Sequence, residues 1–319
     1  MAFSVFLACI FGFTPLGVFA QADPSAPATA AQIQQLTELE MRIGALLARR
    51  AAEQANVGAA RAREALVEQM KGRVQIITSS AQNAGFEDRL RALMARRLAT
   101  VPDAAQRVQT IRVWYSVKDQ APGLTEYNYL MPGGKLSPNN PDYRMTIEGP
   151  DETELLNTAS HEVEHVCMVN ETGCVIPRWA DEGLATLVGE RAQDVMKHYR
   201  DLASSRVGMF HIERLVSLTE YPRDPTTSQM LYAEGAGLSD FLRERLRTRL
   251  GPERQENAYR NMILGFSLSA QTKGLQGAMQ EYAAQFGFAG VSTEKIEAEF
   301  LDFVKKRVIE AGPPPANSR

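Results

Sequence analysis

Apolar positions recur along this chain with two different periods, and the switch between them divides it. From Ile33 the spacing is helical: Leu36, Leu39, Ile43 and Leu46 follow at three, four and three residues and so share one face. Arg50 and Glu53 interrupt that seam before it reaches the length of a coiled coil. The pattern predicts a long amphipathic helix, or a helical hairpin continuing through Leu66, Met70 and Val74. Its apolar face is expected to pack against the body of the protein, with a protein partner as the other reading. A further helical stretch, FEDRLRALMARRLATV, covers residues 86 to 101. Then the period drops to two. Ile111, Val113, Tyr115 and Val117 fall on every second position, as do Tyr127, Tyr129 and Met131, and again Tyr143, Met145 and Ile147. The turn PGGK follows the second of these runs. A small sheet of three strands is therefore expected before residue 150.

Beyond it the period returns to that of a helix. Pro150 and Asp151 precede Glu152 and Glu154, which puts acidic side chains in a first turn, where the helix dipole favours them. Leu155, Leu156, Ala159, Val163 and Val166 supply an apolar face, and Asn170 and Gly173 mark the end. The loop ETGCVIPRW leads into a second helix, DEGLATLVGERAQDVMKHY, and the chain stays helical to about Arg307, broken near YPRDP and at Gly251-Pro252. Strands followed by helices predict an α+β fold.

Composition narrows the partners. The 319 residues are 44% hydrophobic and 23% charged with a net charge of −3, an ordinary globular balance. There is no basic footprint, so nucleic acid is not expected. The first twenty residues, MAFSVFLACIFGFTPLGVFA, carry no charge and end in Val18-Phe19-Ala20, with small residues where signal peptidase reads them. Pro15 and Gly17 break the apolar run short of the ~20 residues a membrane-spanning helix needs. The expectation is a signal peptide over 1–20 and a flexible leader over 21–31. A helical region over 32–105, a main domain over 106–308 and a disordered tail over 309–319 then follow. Export to a secreted or periplasmic location follows from cleavage, with no stable membrane insertion. Cleavage also removes Cys9 and leaves Cys167 and Cys174, for which an oxidising compartment predicts a disulfide.

The chain has only four histidines, and two of them stand four apart in HEVEH, residues 161 to 165. Residues i and i+4 lie one above the other on a helix, about 6 Å apart along the axis. His161 and His165 can thus each turn one ring nitrogen toward a common ion, and Zn²⁺ suits such ligands. Glu162 can reach a water on that ion without ligating it. Chance would produce H-E-x-x-H in about a few per thousand chains of this composition. Catalytic zinc takes three protein ligands and leaves one position open. Glu182, seventeen residues past His165 at the start of the next helix, is the expected third ligand; its neighbour Asp181 is the alternative.

The pair HEVEH and PRWADEGLA resembles the gluzincin metallopeptidases, in particular bacterial peptidase-MA-like families in which H-E-x-x-H is followed by P-x-W-x-x-E-G-x-A. The resemblance implies His161, His165 and Glu182 as ligands of one Zn²⁺ per chain and Glu162 as general base. Pro177, Trp179, Gly183 and Ala185 form the surrounding frame, with Trp179 a packing residue. LYAEGAGLSDFL, residues 231 to 242, resembles the family's tyrosine-led helix and implies an oxyanion donor at Tyr232. The resemblance covers roughly 111 to 308 and leaves 32 to 105 outside. It implies a thermolysin-like core, with a mixed sheet whose edge strand, expected within 126 to 131, faces the cleft. The implied activity is zinc-dependent hydrolysis of peptide bonds in a peptide or protein substrate. The alternative is a catalytically inactive relative acting as a binding or scaffold protein of the cell envelope. Glu164 is expected to face solvent or a supporting partner. His198 sits near a helix end, and His211 is a weak candidate for the cleft.

Overall fold

Alternation in the strand segments sends one side chain in two to a common face, and that face becomes the floor of one core. The computed structural model describes residues 30–77, 84–117, 123–128, 130–131, 135–136, 142–189, 199–200, 210–251 and 256–311. The signal segment, most of the leader, Tyr129, the glycines of PGGK, His198 and residues 312–319 lie outside the described residues. Two compact units result, residues 1–61 and 62–319. The first helix, α1 (Ala30–Lys71), begins in the first unit and ends in the second. In the first unit Met41, Leu46, Leu47 and Val57 are exposed. In the second, Leu66, Val67 and Met70 pack on the core of the sheet.

Where a helical continuation through Val74 was expected, Gly72 and Arg73 turn the chain and VQII forms β1 (Val74–Ile77). Its β-branched residues suit a pleated surface. The helices α2 (Ala84–Leu98) and α3 (Ala104–Arg107) lead to β2 (Ile111–Val117). The strand β3 (Gly123–Asn128) and a short ribbon of β4 (Leu130–Met131) with β5 (Lys135–Leu136) precede β6 (Asp142–Gly149). The sheet order is β1-β2-β6-β3. The first three of these run parallel, with Val113 beside Ile76 and Met145, while β3 pairs antiparallel with β6 and forms an edge. The edge is thus Gly123–Asn128, overlapping the expected segment only at its start. Ile111, Val113, Tyr115, Tyr143, Met145 and Ile147 all point into one core with Phe86, Leu90 and Met94 of α2.

The histidine helix is α4 (Glu152–Thr172). Asp151 caps it by accepting from the amides of Thr153 at 2.8 Å and Glu154 at 2.9 Å, and Gly173, at φ 71°, closes it. Ala159, Val163, Val166 and Cys167 join the sheet core, while Met168 reaches a second core beyond. That core is built by α5 (Arg178–Gly189), α6 (Ile212–Ser217), α7 (Pro225–Leu250), α8 (Glu256–Glu281), α9 (Ala283–Phe286) and α10 (Thr293–Ala311). Trp179, Phe241, Phe266, Phe286 and Phe300 fill it. The architecture is α+β and mostly helical. Among the described residues no helix is long and apolar enough to cross a membrane.

The expected Cys167–Cys174 bridge is not formed; both are free thiols. Cys167 is buried in the sheet core, and α4 runs five residues further, about 7.5 Å along its axis, before Gly173 turns the chain. A disulfide needs its two Cα atoms within about 7 Å.

Candidate metal centre

Helix α4 is buried on nearly every side, so its polar residues must each find a partner or a task. His161 and His165 stack along it with ring centroids 4.9 Å apart. The loop after Gly173 brings α5 back across them, and Glu182, at the start of its second turn, meets both imidazoles. Its Oε2 lies 3.3 Å from His161 Nε2 and 3.7 Å from His165 Nε2. The three ligand atoms all fall within 4.8 Å of one another. Ligands about 2.1 Å from a tetrahedral zinc stand about 3.4 Å from each other, so two of the three spacings already fit. Glu182 Oε2 is also buried and takes no hydrogen bond. Such an atom is costly unless a cation or donor meets it. The donor set and the orphaned oxygen both fit a divalent metal of the zinc kind.

Asp181 is not a ligand here. One residue along a helix is a 100° rotation, and that step sends Asp181 to the far side of the ring. Its Oδ1 lies 2.6 Å from His165 Nδ1. The bond leaves Nε2 to face the centre and makes the imidazole a better ligand. Arg178 Nη1 donates to the other oxygen, Asp181 Oδ2, at 3.0 Å. Burial depresses the His165 pKa, but the carboxylates of Asp181, Glu182 and Glu162 outweigh it and hold it up at about 10. For Glu182, burial raises the pKa, and the two histidines and a bond from Tyr221 more than reverse it, so the carboxylate stays ionised.

Glu162, the expected general base, is buried beside the histidines. Thr125 Oγ1 of the edge strand donates to its Oε2 at 2.5 Å. Tyr232 lies on the first turns of α7. Burial raises its pKa, as do the negative charges of Glu182, Glu162 and Asp181. The expected residues His161, Glu162, His165, Glu182 and Tyr232 are therefore brought to one place.

Three further residues sit there without having been expected. Tyr221, in the loop before α7, donates its hydroxyl to Glu182 Oε1. Its ring lies under the Arg178 guanidinium, 4.5 Å from centroid to carbon, and stacks on Tyr232 at 6.4 Å. Thr125 is the third. No local pattern marks Tyr221 or Thr125, because their roles arise from long-range contacts. Arg178 stood in the quoted motif, and only its distance of three from Asp181 hinted at pairing.

Other expectations fall elsewhere. Glu164 does not face solvent: it is fully buried and paired with Arg97 of α2 and with Arg260 Nη1 of α8 at 2.7 Å. It faces the seam where three helices meet. His211 is exposed and pairs with Glu297 of α10 at 3.1 Å, so it does not line the centre. Trp179 is wholly buried in the helical core, as a packing residue should be. No protein family, curated protein or solved structure matches this chain.

Proposed function

We propose that this protein is a zinc-dependent peptidase of gluzincin type, with a thermolysin-like core and one Zn²⁺ per chain. The observation that carries the reading is the convergence of His161, His165 and the unsatisfied Glu182 Oε2 beside a buried Glu162. A bound Zn²⁺ supplies a lowered pKa, roughly 7, for its water and polarisation of a substrate carbonyl. Glu162 accepts the proton of the attacking water and returns it to the leaving amine. Thr125 fixes which carboxylate oxygen is free to do so, since Oε2 already holds the Thr125 hydroxyl. Tyr221 has committed its hydroxyl to Glu182, and Tyr232 is assigned to donate to the oxyanion. A peptide in extended form would align by main-chain pairing along the edge strand β3, whose Thr125 touches the base.

The substrate is a peptide or protein, and the uncharged N-terminal twenty residues support export to the periplasm or medium. The exposed apolar residues of α1 support a protein partner for that helix. The decisive experiment is Glu162→Gln in purified protein, with zinc content and peptide hydrolysis measured together. Zinc should remain at one per chain while turnover falls by about 10²-fold or more. Hydrolysis at the parent rate would refute the mechanism, and a metal-loaded parent without turnover on a broad peptide library would favour the inactive scaffold.

A further inference from the structure

The contacts around the centre close into a ring. Glu182 Oε1 accepts from Tyr221, whose ring lies under Arg178 at 4.5 Å. Arg178 donates to Asp181 Oδ2 at 3.0 Å, and Asp181 Oδ1 holds His165 Nδ1 at 2.6 Å. His165 Nε2 then returns to within 3.7 Å of Glu182 Oε2. We propose that Tyr221 is a positioning residue that makes Glu182 a one-oxygen ligand and ties its orientation to that of His165. This rests on the metal-centre reading above and adds to it a residue outside both quoted motifs.

A carboxylate can ligate through one oxygen or both. Oε1 here already accepts the Tyr221 hydroxyl and is committed to that donor. Oε2 alone is left to the centre, so three protein atoms would hold the metal and a fourth position would stay open for water. The Tyr221 ring, although 43% exposed, meets the Arg178 guanidinium at 4.5 Å and stacks on Tyr232 at 6.4 Å, and these contacts orient its hydroxyl. The same stack ties the ligand-orienting tyrosine to the one assigned to the oxyanion. Removing the hydroxyl would free Oε1 to swing in as a second oxygen beside the water, raising the coordination number from four to five.

The test compares the full-length parent, Tyr221→Phe and His161→Ala. Zinc affinity is measured by competition with a chromophoric chelator, and the visible spectrum is recorded with Co²⁺ in place of Zn²⁺. Tyr221→Phe should bind zinc about 10- to 100-fold more weakly. Its Co²⁺ bands should lose intensity as a four-coordinate site becomes five-coordinate, an effect a general loosening of the fold would not produce. Melting temperature in the presence of EDTA serves as the folding control. Parent affinity and parent spectrum in Tyr221→Phe would overturn the role of Tyr221 and leave the metal centre standing. A parent chain that binds neither ion would overturn both. If Tyr221→Phe fails to fold, Arg178→Gln probes the ring from its other side. Weaker zinc binding is then expected, and unchanged binding would refute the coupling.

Discussion

Gly183 directly follows Glu182, the proposed third ligand, and adding one methyl group there tests how the centre is built. An ideal Cβ at Gly183 would stand 2.2 Å from Gly235 O, 2.4 Å from Gly235 C and 2.6 Å from Ser239 Oγ. The approach is mutual, since a Cβ at Gly235 would stand 2.5 Å from Trp179 O. Helices α5 and α7 therefore cross backbone against backbone, and the obstructing carbonyl is fixed within its own helix. Restoring ordinary contact at about 3.4 Å requires the helices to part by roughly 1 Å. Overpacking of this kind costs about 1–3 kcal/mol and at times more. The better helix propensity of alanine returns about 0.8–1.0 kcal/mol. Because the clash is with fixed backbone, the strain belongs at the top of the overpacking range, about 3 kcal/mol. Gly183→Ala should thus destabilise the protein by roughly 2 kcal/mol net, lowering the melting temperature by about 4–8 °C for a domain of this size. Gly58, also helical but with nothing within 4 Å of its Cβ position, is the control and should gain up to about 1 kcal/mol from the same substitution. Thermal unfolding followed by far-UV circular dichroism measures both. Because the displaced helix carries Glu182, zinc affinity should fall together with the melting temperature. A Gly183→Ala variant that melts at or above the parent would show that the two helices are not in backbone contact.

Three other perturbations follow from the same structure. Glu164→Ala should cost about 3 kcal/mol in urea unfolding, because Arg97 and the buried Arg260 lose a shared carboxylate; a change under about 1 kcal/mol would refute a structural role for the pair. Glu234 is buried with one oxygen unpartnered, and desolvation, aided by Glu297, raises its pKa from 4.5 to about 8 against a bond from the Phe210 amide. Folded chains then hold a proton that unfolded chains release between those values, so stability present at acidic pH is lost as pH rises through about 8. A shift of this size corresponds to at most roughly 5 kcal/mol. Unfolding free energy of the parent should accordingly fall relative to Glu234→Gln between pH 5 and 9, and parallel profiles would contradict the assignment. Lastly, in native protein a thiol reagent should titrate Cys174 quickly and Cys167 only on unfolding, since burial both hides that thiol and raises its pKa. Equal rates would place Cys167 outside the core.

What the sequence discloses about this centre, and what it withholds, divides by range of interaction. His161, Glu162 and His165 are readable because a helix alone fixes their spacing. Glu182 is nearly as readable, yet nothing local separates it from Asp181; the 100° between them is decided by how α5 lies across α4. Val74 looked helical because its spacing continued that of Leu66 and Met70, and only pairing with Ile111 makes Val74–Ile77 a strand. Thr125 and Tyr221 reach the site from an edge strand and a loop, where no period exists to be read.

Glu164 shows why a helix with one apolar face was too simple a picture. Helix α4 lies between the sheet core and the helical core, so its polar side chains are buried as well as its apolar ones. Each must then be answered from another element. Thr125 answers Glu162, Arg97 and Arg260 answer Glu164, Asp181 answers His165, and Tyr143 accepts from Asn170 at 2.7 Å. The buried carboxylates of the helix are thus partnered, whereas on the helix that faces it Glu182 Oε2 takes no hydrogen bond and lies between two imidazole nitrogens. Where the neighbouring carboxylates Glu162, Glu164 and Asp181 are all partnered, the bare oxygen of Glu182 is one that a cation would complete.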